Sequence, residues 1–458
     1  MLSLLLLAQA APSYAFCGNY VGQAGAELTN AASRVAIVRQ DDRTTLTMAN
    51  DFDANVSEFA VVVPVPVVLT EADVRVVDPA VFDTLDLYSG PRLVSYTCEE
   101  LYPEVSRGGC NPFVSYDIAI KTDEAGGGLS DPFSDVDVEE RFIVGEYEVV
   151  VLSAEESSSL LGWLDANGYA VSAEAEDLFQ EYIDSGSYFF AAKVFLERLP
   201  PGQDWLSPLQ FTYTSDVFAL PIRPGTINSP GSQDLVIYAI TNPSDGQVRI
   251  SNYPQTTIED ECLFEDDPEA FGDFYEGQFD DGVAQVEDDA SWAIEYGWSV
   301  SPWVAACDPC PPTETAEPMP SADLVALGYD PNPEGEDDSG VYVEGLSYYF
   351  TRLRMRYTPA QADEDLLFYL SGETENTQQR YVQHASFLED LYPICGFGFV
   401  EDPGSCKDEG MEMRRRVRQA EREEGGEGGC ASWAWGGLSY GAVALVGLLI
   451  AGRRRRQR

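Results

Sequence analysis

Few residues in this chain are of the types that carry catalytic chemistry. His384 is the single histidine, so a zinc site built from several histidines is excluded, and a Ser-His-Asp triad would have to run through this residue. No phosphate-binding glycine motif occurs in the sequence. We therefore expect no catalytic residue and no cofactor-binding residue, and we interpret His384 as a surface or packing side chain.

One pair of cysteines has the spacing of a redox motif, in the run Cys307-Asp308-Pro309-Cys310. A redox-active pair requires a helix that begins at the motif, because the helix N-terminus lowers the pKa of the first thiol. The residues that follow, "CPPTETAEPMP", are too rich in proline to begin such a helix. A structural disulfide or a turn is therefore the expected role.

The stretch "DPNPEGEDDSGV" contains an incomplete calcium loop. Asp330, Asn332 and Glu334 occupy positions 1, 3 and 5 of the pattern, but position 12 is Val341, where an EF-hand has a bidentate glutamate. Two interpretations stay open, a Ca²⁺ site and an acidic surface loop. The other carboxylate clusters, at residues 265–269 and 287–289, are too common in so acidic a chain to indicate paired acids of a hydrolase.

The charge balance excludes one class of partner. The chain has 78 acidic residues against 27 lysines and arginines, a formal net charge of -51. Such a surface repels phosphate backbones, so we expect no nucleic-acid partner. The hydrophobic content of 44% nevertheless predicts a folded body with a core.

Both termini have the composition of targeting segments. Residues 1–15, "MLSLLLLAQAAPSYA", are typical of a signal peptide. The uncharged run from Trp433 to Gly452 is long enough for one transmembrane helix, and the arginines of residues 453–458, including Arg453, Arg454, Arg455 and Arg456, predict a cytoplasmic tail. Cys430, just before the span, is a candidate for processing or lipidation. We expect an exported protein anchored in the envelope or at the cell surface.

Export predicts disulfides among the nine cysteines. Short spacing favours two pairs, Cys98 with Cys110 and Cys395 with Cys406. With Cys430 set aside, three pairings remain open for the other four cysteines, which are Cys17, Cys262, Cys307 and Cys310.

The hydrophobic pattern predicts a β-dominated α+β body in two parts. Residues 16–120 read as a β-rich domain, residues 121–140 as an acidic glycine-containing joint, and residues 141–407 as an α+β domain with acidic loops from 260 to 340. Residues 408–432 are too polar to form a core and are interpreted as a linker.

The clearest local pattern is a β-α-α-β unit in the second part. "RFIVGEYEVVVLSA" predicts one strand, and Ser153 with Glu156 resembles a capping box before a helix that Asn167-Gly168 would end. A second helix is predicted over residues 174–184, before the strand "SYFFAAKVFLERL". In the first part, Asp78 is predicted to cap a short helix, and "RVAIVRQDDRTTLTMAND" to form two strands around a turn at residues 40–43.

Several ordered motifs together resemble a secreted bacterial family, domain of unknown function 2330, which is common in myxobacteria. They are "RVAIVRQDDRTTLTMANDF", "EFAVVVPVP", "LDLYSGPRLVSY", "YEVVVLSAEESSSLLGWLDANGY", "FFAAKV" and "ALPIRPGTINSPGSQDLVIYAIT". The resemblance spans residues 17–400 and implies no known activity. The C-terminal Gly429-Cys430, span and arginine cluster are similar to the myxobacterial sorting tail, which implies processing by a sorting protease.

Taken together, these features predict an interaction or binding module of the envelope, with a protein or a polysaccharide as partner and no enzymatic activity. The alternative is an exported hydrolase that uses carboxylates in an acidic cleft, which would require two facing carboxylates in a deep pocket. A thiol oxidoreductase would require an exposed Cys307 with a lowered pKa.

Overall fold

A computed structural model describes residues 19–22, 28–29, 33–50, 53–54, 58–94, 136–169, 174–198, 206–227, 229, 231–259, 263, 270–286, 290–301, 319–331 and 346–382. The strands of this part are β1 (Asn19–Gly22), β2 (Leu28–Thr29), β3 (Ser33–Gln40), β4 (Arg43–Asn50), β5 (Asp53–Ala54), β6 (Glu58–Val65), β7 (Val74–Val76), β8 (Arg92–Val94), β9 (Val136–Val144), β10 (Tyr147–Ala154), β11 (Tyr188–Phe195), β12 (Leu209–Thr214), β13 (Ala219–Leu220), β14 (Gln233–Thr241), β15 (Val248–Ile250), β16 (Ser291–Val300), β17 (Tyr348–Tyr357), β18 (Leu366–Leu370), β19 (Thr377–Gln378) and β20 (Arg380–Val382). The helices are α1 (Ala80–Ser89), α2 (Ser157–Ala166), α3 (Glu174–Asp184), α4 (Arg223–Thr226), α5 (Phe271–Ala284) and α6 (Ser321–Ala326), with 3₁₀ turns at Glu71–Asp73 and Leu196–Arg198.

Two sheets dominate the structure. The larger has eight strands in the order β19-β16-β17-β14-β3-β4-β12-β7, and its neighbouring strands are antiparallel except for β14 and β3. The smaller has five antiparallel strands in the order β1-β6-β11-β10-β9. Shorter pairings add β13-β18-β15, β2-β5 and β20-β8. The description of the fold as β-dominated α+β is confirmed.

The two sheets pack face to face, and helices cover their outer faces. Strand β6 illustrates how both faces of a sheet become buried, because successive side chains of a strand point to opposite faces. Phe59, Val61 and Val63 lie in the core between the sheets, whereas Ala60 and Val62 pack under α2 and α3. Helices α1 and α6 cover the outer face of the larger sheet in the same way. Burial on both faces explains why these strands are nearly continuous apolar runs.

The sheets do not divide the chain at the predicted joint, residues 121–140. In the larger sheet, β3 from the first part pairs along its length with β14 from the second. In the smaller sheet, β6 pairs in the same way with β11. Strands from residues 16–120 and 141–407 therefore share one core, because each sheet buries its apolar faces only when both sets of strands are present.

Most local predictions are confirmed. Strand β10, helices α2 and α3 and strand β11 form the β-α-α-β unit, in which the two strands pair antiparallel. Helix α2 ends before Asn167, and Gly168 has a positive φ of 89°. The β3–β4 hairpin turns at Asp41, and Asp78 accepts a hydrogen bond from the backbone N–H of Ala80 at 2.9 Å.

Two local predictions are wrong. "RFIVGEYEVVVLSA" belongs to two strands, β9 and β10, which turn at Gly145 with a φ of 55°. Ser153 does not cap α2: it lies in β10 and donates to Glu139 at 2.7 Å, and Glu156 precedes the helix without a side-chain cap. The region from 260 to 340, expected to be rich in acidic loops, also contains α5, α6 and the buried strand β16, which the sequence pattern did not predict. Its acidic and aromatic composition concealed a strand that is covered on both faces.

Candidate functional site

A cavity of about 310 Å³ opens between the two sheets at one end of the core. One wall comes from Leu46 on β4 and from Phe211 and Tyr213 on β12, two aromatic residues that alternation places on the same face of their strand. The remaining wall is formed by residues at the end of β6, at and after the end of α3, around β13 and before β18, which are Pro64, Val65, Pro66, Tyr182, Ser185, Gly186, Ser187, Ser215, Val217, Ala219, Pro221 and Asp365. The volume lies at the lower end of the range of small-ligand sites, roughly 300–1,000 Å³.

Asp365 is the only charged residue among the described residues that line the cavity. The Tyr182 hydroxyl lies 2.9 Å from its Oδ1 atom and 2.7 Å from its Oδ2 atom. The backbone N–H groups of Ile222 and Arg223 also donate to Oδ1, at 3.0 and 3.3 Å. These contacts fix the loop before β18 to the end of α3 and to the start of α4.

Burial raises the pKa of Asp365, and the hydrogen bonds from Tyr182 and from the backbone N–H groups of Arg223 and Ile222 offset this only in part. Burial, together with the charge of Asp365 and the hydrogen bond to it, also raises the pKa of Tyr182. The raised pKa of Tyr182 keeps its phenol protonated, so the hydroxyl is the donor in the hydrogen bond to Asp365.

Substitution Asp365→Asn is expected to remove a pH-dependent part of the stability. Both states are protonated below the ordinary aspartate pKa of about 3.9. As the pH rises from there, Asp365 ionises first in the unfolded state and only at higher pH in the native state, because its native pKa is raised. Between these two pKa values the free energy of unfolding of the wild type falls relative to that of Asp365→Asn. The fall is about 1.4 kcal/mol per unit of pKa difference. Urea unfolding across this pH range measures it.

The matched control is Asp363→Asn, which removes an exposed carboxylate two residues away. Its stability should follow the wild-type pH curve. Arg223 is the charged group that acts on the pKa of Asp365; it pairs with Glu181 at 2.5 Å, and both remain in every variant, as does the adjacent Glu364. If the curves of wild type and Asp365→Asn are parallel, the assignment of the raised pKa to Asp365 is wrong.

A second polar cluster lies on the outer face of the larger sheet. Arg352, Arg354 and Arg356 alternate along β17, and we call them the arginine row. The row contacts carboxylates from four elements: Asp86 on α1, Asp234 on β14, Glu276 and Asp280 on α5, and Glu295 on β16.

The arginine row is saturated by these partners. Arg352 bridges Glu295 and Asp86 at 2.5 and 2.7 Å, and Arg354 bridges Asp234 and Glu276 at 2.7 and 2.6 Å. Glu295 also accepts a hydrogen bond from Tyr275. Because each guanidinium has carboxylate partners within the fold, we interpret the row as a structural connection between helices and sheet.

The residues predicted from the sequence as sites lie mostly outside the described part. Asp330 is described, and its backbone N–H and carbonyl both bond to the side chain of Gln40; Asn332 and Glu334 are not. Among the described residues, no group of three or more His, Cys, Asp and Glu residues could hold a metal ion. The calcium prediction therefore stays a prediction.

The predicted disulfides and the predicted membrane anchor also stay predictions. All nine cysteines, including Cys98, Cys110, Cys395, Cys406 and Cys430, lie outside the described residues. Within the described ranges, no helix is long and apolar enough to cross a membrane. The predicted span from Trp433 to Gly452 and the arginines 453–456 lie beyond these ranges.

Sequence reasoning missed both polar clusters. The arginine row had a visible signal, since "TRLRMRYT" alternates arginines with apolar residues in a chain that has few cations. Asp365 had none, because "ADEDLL" contains several equivalent carboxylates and its partner Tyr182 is 183 residues away.

The structure defines a β-dominated α+β protein with an inter-sheet cavity. The chain belongs to a family described as uncharacterized proteins conserved in bacteria, DUF2330, whose model matches residues 11–369. The matched region includes the cavity and most of both sheets. No curated protein and no solved structure matches the chain.

Proposed function

We propose that this protein is an exported, membrane-anchored binding protein of the bacterial envelope, and that the inter-sheet cavity holds its ligand. The observation that carries the proposal is the cavity itself. It combines a largely apolar and aromatic lining with hydroxyls and one carboxylate, which is the composition of sites that bind a ligand and fix its orientation.

Binding is favoured over hydrolysis by the acid groups of the cavity. A carboxylate-based hydrolase needs two acids that face the same bond. Among the described lining residues, Asp365 has no second carboxylate beside it, and its carboxylate already accepts bonds from Tyr182 and two backbone N–H groups. This arrangement suits recognition better than proton transfer and water activation.

Export and anchoring are supported by segments outside the described residues. Residues 1–15 have the composition of a signal peptide, and the uncharged run from Trp433 to Gly452 precedes an arginine cluster. This orientation places the cavity on the outer side of the membrane, where an envelope protein or a polysaccharide could reach it.

Envelope capture tests the binding role. Protein that ends at Gly429 is incubated with envelope extract, with and without Ca²⁺, and retained components are compared between Ser187→Trp and Ser158→Trp. Ser187 lines the cavity, whereas Ser158 is exposed on α2 outside it. We expect a component retained by wild type and Ser158→Trp to be lost with Ser187→Trp. Equal retention by both variants would contradict a role for the cavity.

Cell fractionation tests the anchor. We expect the full-length chain in the membrane fraction and the chain that ends at Gly429 in the soluble fraction, because only the former contains the apolar run. The Cys430→Ala variant should change the apparent mass if the tail is processed at that cysteine. Membrane association of the chain that ends at Gly429 would contradict the proposed membrane anchor.

A further inference from the structure

The carboxylate of Asp365 has unused capacity to accept hydrogen bonds. Its Oδ1 atom accepts from the backbone N–H groups of Ile222 and Arg223. The Tyr182 hydroxyl has one proton and lies closer to Oδ2, at 2.7 Å, than to Oδ1, at 2.9 Å, so it is the one donor to Oδ2 among the described residues. A carboxylate oxygen can accept two hydrogen bonds. One acceptor position of Oδ2 is therefore open on the residue that contributes the only charge of the described cavity lining.

Among the described residues, Asp365 also has no direct ion pair with a cation. The buried carboxylates of Asp234 and Glu295 each pair with arginines of the arginine row. Arg223, by contrast, directs its guanidinium to Glu181 at 2.5 Å and forms its hydrogen bond to Asp365 through its backbone N–H, so its charge acts on Asp365 only from a distance. Because a partly buried charge without a direct ion pair is costly, a positively charged ligand would stabilise the site.

The rest of the cavity suits the body of such a ligand. The rings of Phe211 and Tyr213 have centroids 6.3 Å apart and lie on the same wall, and Tyr182 lies beside the carboxylate. Aromatic faces attract cations as well as apolar groups. The net charge of -51 further raises the local concentration of cations and repels anions.

We propose that the ligand of the inter-sheet cavity carries a protonated amine on an apolar or aromatic body, with the ammonium group bound to Oδ2 of Asp365. The inference rests on the proposed binding function and specifies its ligand class. Anionic ligands are disfavoured by Asp365, and neutral ligands would leave it without a direct ion pair.

The test uses three probes with a common phenyl body, namely 2-phenylethylamine, 2-phenylethanol and phenylacetate. Their binding to the purified full-length chain is measured by calorimetry against a buffer-matched blank. We expect the amine to bind roughly tenfold more tightly than the alcohol, as is typical of a hydrogen bond between charged groups, and phenylacetate to bind least.

Variants then assign the effect to the carboxylate. In Asp365→Asn, the amide oxygen can still accept the backbone hydrogen bonds, so the fold is retained, and we expect the advantage of the amine over the alcohol to disappear. Asp363→Asn removes the same charge from an exposed neighbour and should preserve the advantage. Ser187→Trp should weaken the binding of every probe.

The outcomes separate the two proposals. If the alcohol binds as tightly as the amine, or if Asp365→Asn leaves the amine affinity unchanged, the amine inference is overturned while the cavity remains a binding site. The inference is equally overturned if no probe binds the wild type. If probes bind the wild type and Ser187→Trp alike, they bind elsewhere, and the proposed function of the cavity fails as well.

Discussion

Replacing Arg352 by methionine is expected to lower the free energy of unfolding by about 3–5 kcal/mol, the typical cost of breaking a buried ion pair. Its guanidinium is 2.5 Å from Glu295, whose side chain has 0% exposure, and 2.7 Å from Asp86. Methionine fills a similar volume, so the loss would come from electrostatics rather than from a cavity. Without Arg352, Glu295 would keep only the hydrogen bond from Tyr275 among its described side-chain contacts. Urea unfolding of the purified protein measures the change.

Two further variants identify the cause. The double variant Arg352→Met with Glu295→Gln also removes the buried carboxylate that loses its ion pair in Arg352→Met. We expect the double variant to be more stable than Arg352→Met alone by at least about 1 kcal/mol. Arg249→Met breaks an ion pair whose partner Glu373 is 55% exposed, so it should cost less than about 1 kcal/mol. If Arg352→Met and Arg249→Met lower the free energy of unfolding equally, burial does not determine how much the ion pairs of the arginine row contribute to stability.

Substitution Gly246→Ala is expected to cost about 3 kcal/mol or more, which combines backbone strain with overpacking. Gly246 has a φ of +67°, and an added Cβ would lie 2.3 Å from the carbonyl oxygen of Glu373. That oxygen already accepts a bond from the N–H of Gln247 at 2.8 Å. The clash involves backbone atoms that are held in place, so it cannot be relieved by a side-chain rotation.

Gly372→Ala is the matched control in the same pair of turns. Gly372 has a similar φ of +71°, but a Cβ there would meet no atom within 4 Å. Gly372→Ala should therefore lower the free energy of unfolding only through backbone strain, by about 1 kcal/mol. Thermal and urea unfolding of both variants separate strain from steric overlap. Equal losses would show that the close approach to Glu373 does not contribute.

The local part of this fold could be predicted from the sequence. The β-α-α-β unit, helix α1 and the β3–β4 hairpin depend on hydrophobic period, turn residues and helix ends, all of which act over a few residues. Strand β16 was missed because its neighbours are acidic and it is buried on both faces, which removes the alternation that marks a half-exposed strand. The pairing of β3 with β14 across the expected joint could not be inferred from composition, since an acidic stretch rich in glycine looks the same inside a domain as between two.

Composition, the charge of -51, the family motifs and the candidate targeting segments were all properties of the sequence itself. Only the tertiary structure decided that β3 lies beside β14, that the arginine row meets carboxylates from four elements, and that Tyr182 donates to Asp365. These contacts join residues far apart in the chain. Their selection depends on which apolar faces can be buried together, and no local pattern contains that information.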